Sequence, residues 1–224
     1  MSIADNIQGF AQKTLPPNVK LVAVSKTKPT GDILEAYQAG HKIFGENRVQ
    51  ELVDKYEALP RDIEWHMVGH MQSNKVKYIA PFVSLIQGVD KPKLLKVIDK
   101  EGRKNKRVID VLLQFHIASE ETKFGFHHQE AVDMLKSEDF RSLEYLRVRG
   151  VMGMATFTDD ADKIRSEFRQ LAKIFRDLKR EFFSDDPGFK EISMGMSNDY
   201  QIAIEEGTTM VRIGSLIFGE RNNH

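Results

Sequence analysis

The sequence predicts an α/β protein folded as a single-domain (β/α)8 TIM barrel, on three observations. Eight short apolar runs alternate with stretches long enough for a crossover helix, which implies parallel pairing. Several runs are apolar at nearly every residue, as strands covered on both faces are. The length, 224 residues, is close to the usual size of that fold, about 250 residues. A doubly wound open sheet is the alternative, and it would move the site to a switch in strand order.

The predicted strands are Leu21–Lys26, Ile43–Glu46, Glu64–Gly69, Ser84–Val89, Val108–Ile117, Leu146–Met154, Glu191–Met196 and Met210–Ile213. Helical patterns lie between them. Ile33, Leu34, Ala36 and Tyr37 are followed by Gly40 as a stop. Val49, Leu52, Val53, Tyr56 and Leu59 keep the three-and-four spacing up to Pro60. Leu94, Val97 and Ile98 form a pattern that ends at Gly102, after which the basic segment 101–107 reads as a solvated loop. The longest stripe runs Ile164, Phe168, Leu171, Phe175, Leu178, Phe182, with Lys and Arg opposite. Before the first strand there is room for one helix. Segment 184–188 is an ordinary loop, and nothing divides the chain, so residues 1–224 are expected to form one domain.

Composition narrows the function. Thirty-three basic residues balance thirty-three acidic ones, so no global field recruits nucleic acid or an anionic membrane. The absence of cysteine excludes disulfides, thiolate zinc sites and cysteine nucleophiles. No signal-peptide pattern or run of about 20 apolar residues stands out. A cytoplasmic protein is expected.

Two constellations carry chemistry. Alternation puts Val22, Val24, Lys26 and, if the strand extends, Lys28 on one face. In a barrel, Lys26 then stands at the C-terminal rim, where sites of this fold form. A partly desolvated lysine supplies more neutral amine for attack on an aldehyde; a solvated charge at a strand end is the bland alternative. The second constellation is Arg212-Ile213-Gly214-Ser215, a glycine turn after the last strand that suits a phosphate. A snorkelling arginine beside an ordinary turn is its alternative. Ser197, in the small-residue loop 193–199, offers a hydroxyl to the phosphate or caps the helix from Asp199. An imine-forming amine, an arginine and a phosphate nest together point to pyridoxal 5′-phosphate (PLP).

Weaker signals are Asn47, at the rim after strand two, and His66, which alternates with Val68 and reads first as a core histidine. Gln72, Ser73 and Asn74 start a helix. His116, His127 and His128 have no carboxylate at ligand spacing. Met152 and Met154 read as barrel packing.

The segments Ala23-Val24-Ser25-Lys26-Thr27-Lys28-Pro29, Phe44-Gly45-Glu46-Asn47, 65–75, Lys123-Phe124-Gly125, Arg149-Gly150-Val151-Met152, 193–199 and 210–219 closely resemble those of the PLP homeostasis proteins. These are single-domain relatives of the alanine racemase barrel. The segments keep the family's order over nearly the whole chain. Departures are small: Met67-Val68 stands where Phe-Ile is common, Met71 where Leu is common, and Ser215 where threonine is frequent.

The resemblance implies an alanine-racemase-like barrel and a PLP-binding role in vitamin B6 homeostasis. It implies that Lys26 carries PLP as an internal aldimine, that Arg212 faces the pyridine nitrogen, and that Ser197, Gly214 and Ser215 hold the phosphate. Asn47 and His66 occupy motif positions near the cofactor. The expected protein is a monomeric carrier without turnover that buffers PLP or delivers it to apo PLP-dependent enzymes. The alternatives are an amino-acid racemase or a Schiff-base aldolase. In alanine racemases the second base is a tyrosine from a partner's β-domain. Of the five tyrosines here, Tyr200 is the one the sequence brings near the site. Lys28, Lys75 and Lys77 are candidates for a second, weaker PLP site.

Overall fold

The computed structural model describes residues 2–120 and 124–220; Lys123 of the Lys-Phe-Gly motif lies outside them. Eight parallel strands close into a barrel in sequence order, with the last paired to the first. They are β1 (Lys20–Val24), β2 (Ile43–Glu46), β3 (Glu64–Met67), β4 (Leu85–Val89), β5 (Ile109–Gln114), β6 (Leu146–Met152), β7 (Glu191–Ser193) and β8 (Met210–Ile213). The open-sheet alternative is thereby set aside.

Helix α1 (Ile3–Gly9) runs into a π-helical turn, Phe10–Thr14, ahead of β1. Its start is fixed by a capping box in which Ser2 and Asp5 exchange side-chain and backbone hydrogen bonds. The helices α2 (Thr30–Gln38), α3 (Val49–Ala58) and α4 (Val76–Ile79) follow the first three strands, α4 being entered through a 3₁₀ turn at Ser73–Lys75. Next come α5 (Pro92–Asn105), then α6 (His128–Lys136) with α7 (Glu138–Arg141). The last three are α8 (Ala161–Phe182), α9 (Tyr200–Glu205) and α10 (Ser215–Phe218).

Outward side chains of the strands and the apolar stripes of the helices make the main core. Phe44, Trp65, Phe168, Leu171 and Leu178 are fully buried in it, and each stabilises by roughly 1.5–3 kcal/mol. A second, smaller cluster fills the lumen: Val22, Val68, Leu85, Leu112, Met152 and Met210. It closes the barrel from below, so a ligand can enter only at the C-terminal end of the strands. Met152 belongs to that packing, whereas Met154 does not; it lines the cavity above.

Strands two and eight keep their predicted bounds. Five others, β1, β3, β5, β6 and β7, end two or three residues early, and the residues that follow belong to the loops at the barrel mouth. The stop at Gly102 is a larger correction. Helix α5 continues to Asn105 and is closed by Lys106 in the left-handed region, φ 52°. Basic residues in its last turn suit the negative end of the helix dipole, so 101–105 is helix rather than loop. Gly102 serves a close approach instead: a Cβ there would lie 2.6 Å from the Tyr145 carbonyl oxygen and 2.8 Å from that of Arg107.

Candidate functional site

At the C-terminal mouth lies a cavity of about 1070 Å³, just above the usual range for small-molecule sites. Lys26, Asn47, Ser197, Arg212, Gly214 and Ser215 all line it, together with Lys28. Residues from the two ends of the chain meet here because β1 pairs with β8, Val22 standing beside Arg212. A smaller cavity of about 400 Å³, lined by Leu95, Met134, Phe140 and Leu143 among others, sits in the helical shell, away from the strand ends.

Each wall has a local cause. Lys26 and Thr27 are the central residues of a turn closed by Lys28 N–H donating to Ser25 C=O at 3.0 Å. Lys28 reaches the other way, its Nζ donating to the carbonyls of Phe218 and Glu220 at 2.7 and 3.0 Å. This ties the loop after β1 to the end of α10. After β7, Gly195 takes φ +95°, and a Cβ there would meet Ala203 Cβ at 2.6 Å; glycine lets the loop fold flat on α9. The Gly195 carbonyl then accepts from Arg212 N–H at 2.9 Å, which joins the two loops. Asp199, rather than Ser197, occupies the N-cap position of α9, and its Oδ1 accepts from Met196 N–H at 2.6 Å. Ser197 therefore faces the cavity without capping the helix.

The floor is a polar chain. Arg212 NH1 donates to Ser193 Oγ at 2.6 Å and NH2 to Gly153 C=O at 3.0 Å. Ser193 Oγ donates in turn to Gln87 Oε1 at 2.6 Å, and Gln87 Nε2 meets His66 Nδ1 at 3.0 Å. His66 thus does not line the cavity; it stands one layer below, linked to Arg212 through two side chains. Burial pulls its pKa down to about 3, with Lys20 adding a small push the same way. A neutral ring that accepts at Nδ1 agrees with that. Burial also lowers the Arg212 pKa to about 10, opposed by Asp199, and the guanidinium stays charged at neutral pH. Gln87 escapes a reading of the sequence as a single polar residue inside an apolar run, and Ser193, though within the motif 193–199, gives no sign there of its bond to Arg212.

At the rim the His70 ring stacks on Phe124 with centroids 3.8 Å apart, and its Nδ1 lies 3.1 Å from Asp90 Oδ2. Lys75 and Lys77 lie against the Tyr78 ring, off the cavity lining. Tyr200 also turns away: its ring packs edge-on against Phe10 at 5.0 Å. Among the described residues, no tyrosine lines the cavity.

Comparison with known proteins adds a context to this geometry. The family described as alanine racemase, N-terminal domain, matches residues 1–222. The pyridoxal phosphate homeostasis protein of Aquifex aeolicus is 42% identical over 203 residues, 90% of this chain and 87% of that one. That of Pasteurella multocida is 39% identical, covering 98% and 95%. Among solved structures, PipY of Synechococcus elongatus with PLP bound superposes with a TM-score of 0.87 at 32% identity. That match covers 97% of this chain and 100% of that one.

Proposed function

We propose a function on one premise: the chain belongs to the alanine racemase N-terminal domain family, and within it to the pyridoxal phosphate homeostasis proteins. It binds PLP and serves PLP homeostasis, holding the cofactor covalently on Lys26 and buffering it or handing it on. The observation that carries this reading is the meeting, across one cavity, of the Lys26 amine with Arg212 and the Gly214-Ser215 turn. These groups fit PLP: an amine for its aldehyde, a cation for its ring nitrogen, and small-residue turns for its phosphate dianion.

Bound there, PLP supplies an electrophilic aldehyde carbon and an electron-withdrawing ring. Lys26 would supply the amine that holds the aldehyde end of the cofactor. Arg212 would face the ring nitrogen with a cation that keeps its own proton at neutral pH, which would disfavour a proton on that nitrogen. That weakens the electron sink most PLP catalysis depends on. Ser193 and the Gly153 carbonyl fix the guanidinium, and Gln87 links Ser193 to His66 below. Ser197, Gly214 and Ser215 would take the phosphate, and Asn47 lines the same cavity.

Turnover is no part of this reading. Racemisation needs acid–base groups on both faces of the substrate carbon, and the tyrosines, Tyr200 included, stay off the cavity lining. The proposal treats 1–224 as one PLP-binding domain, cytoplasmic and monomeric, with apo PLP-dependent enzymes as recipients. A closed barrel needs no partner to cover a sheet edge, and among the described residues no helix is long and apolar enough to cross a membrane.

The test is Lys26→Ala. Wild-type protein loaded with PLP and treated with borohydride is expected to carry the cofactor mass on the peptide containing Lys26, and the variant to carry none. An equal adduct on another lysine of the variant would sink the assignment. Interconversion of L- and D-alanine by loaded wild-type protein at about one turnover per second or faster would replace the carrier by the racemase.

A further inference from the structure

We infer that Lys55, together with Glu46 and Glu51, is a positioning device for Lys26, fixing the two peptide groups that flank it and so setting the direction from which its amine enters the cavity. This rests on the reading of Lys26 as the attachment residue.

Lys26, in the turn after β1, lines the cavity, whereas Ser25 before it is fully buried and hydrogen-bonded to groups of β2 and α3. Glu46, at the end of β2, is also fully buried. From α3, Lys55 reaches into the same space. Its Nζ donates to Ser25 C=O at 2.8 Å, Glu46 Oε1 at 2.7 Å and Glu51 Oε1 at 2.7 Å, and an ammonium has three protons to give. Ser25 Oγ donates to Glu46 Oε1 at 2.6 Å, and Thr27 N–H donates to Glu51 Oε1 at 2.6 Å.

The Ser25 carbonyl belongs to the peptide group before Lys26, and the Thr27 N–H to the one after it. Both are therefore held from behind by side chains of β2 and α3. The turn needs holding. Thr27 has φ +67°, a left-handed conformation at the third turn position that glycine or asparagine usually fills. A β-branched residue there is an outlier that persists only when its surroundings impose it.

None of these three side chains lines the cavity, so their effect on Lys26 passes through the backbone. Glu46 depends on Lys55 in turn. Burial raises the Glu46 pKa and the Lys55 charge opposes the rise, while its Oε2 has no hydrogen-bond partner. Without Lys55 the carboxyl would take up a proton rather than stand ionised in the wall.

The experiment compares full-length wild type, Lys55→Met, Glu51→Ala and Lys26→Ala, using two ligands. PLP reports covalent attachment, followed as the rate of appearance of its visible absorbance band. Pyridoxine 5′-phosphate, which has no aldehyde, reports the non-covalent pocket alone. Lys55→Met and Glu51→Ala are expected to attach PLP about ten- to hundredfold more slowly, the range that misdirection of a reacting group by about an ångström produces. Their affinity for pyridoxine 5′-phosphate should stay within about twofold of wild type, an effect under half a kcal/mol.

Wild-type attachment rates in both variants would overturn the inference. So would a loss of pyridoxine 5′-phosphate binding equal to the loss in attachment, because that describes a collapsed pocket. Should Lys55→Met fail to fold, Glu51→Ala decides alone, since Glu51 is 23% exposed and its removal leaves the Lys55–Glu46 pair. If Lys26→Ala still yields a borohydride-fixed adduct on another lysine, it is the attachment reading that fails, independently of the clamp.

Discussion

His66 is 4% exposed and receives a hydrogen bond from Gln87 at a ring nitrogen, so its neutral form is part of the folded structure. That has a consequence in acid. Its pKa is about 3 in the folded protein against the ordinary 6.5. Between those values the unfolded chain binds the extra proton and the native protein does not, so stability rises with pH across the window and falls on acidification. From pH 6.5 to pH 4.5 this one residue removes about 2 kcal/mol of stability. In His66→Gln the side chain can still accept from Gln87 but cannot charge. Urea unfolding of PLP-free protein should therefore show the loss between those pH values smaller in the variant by about 2 kcal/mol. An identical acid loss in the two proteins would mean that the ring protonates in place.

At the scale of elements, Gly102 gives a prediction whose sign differs from the general rule. Glycine to alanine inside a helix ordinarily stabilises by about 0.5–1 kcal/mol. Here the new Cβ would press on two backbone oxygens at 2.6 and 2.8 Å, and overpacking of that kind costs about 1–3 kcal/mol. Gly102→Ala should lower unfolding free energy by about 1–2 kcal/mol, read from its urea midpoint; a gain in stability would show that α5 can shift away from Tyr145. Glycine as a helix stop and glycine as a contact look alike in one sequence, so α5 outruns the end that Gly102 predicts. The stripes of α3 and α8 were legible because periodicity is local. The clamp and the floor were not. Lys55 follows Leu52 by three residues, where a lysine reads as a side chain snorkelling to solvent. Its partners Ser25 and Glu46 lie on two other elements. Ser193 and Gln87 meet across 106 residues, a contact that only barrel register creates. The cavity residues themselves were legible because they sit at strand ends, where motif and topology coincide; His66, one layer lower, was placed near the site though not on its lining.

Closure of the whole barrel decides whether any site exists. Lys26 follows the first strand and Arg212 belongs to the last, and they share a cavity because β8 returns to pair with β1 over four residue positions. Neither end of the chain can present half of the site while the barrel is open, so ligand binding is linked to global unfolding. At a free PLP concentration one hundred times its dissociation constant, the stabilisation is about 2.7 kcal/mol. For a chain of this length each kcal/mol moves the melting temperature by about 2–4 °C, so PLP should raise it by roughly 5–11 °C. At the same PLP concentration Lys26→Ala should show under about 2 °C, if the covalent bond supplies most of the affinity. The form of the transition carries as much information as its position. Because the residues proposed to hold the ligand come from both ends of the barrel sequence, the loaded protein should still melt in one step, with scanning calorimetry and far-ultraviolet circular dichroism giving the same midpoint. A second, later transition in the loaded protein would mean that part of the barrel keeps the ligand after the β1–β8 seam has parted, and the site would then have to be rebuilt from fewer strands.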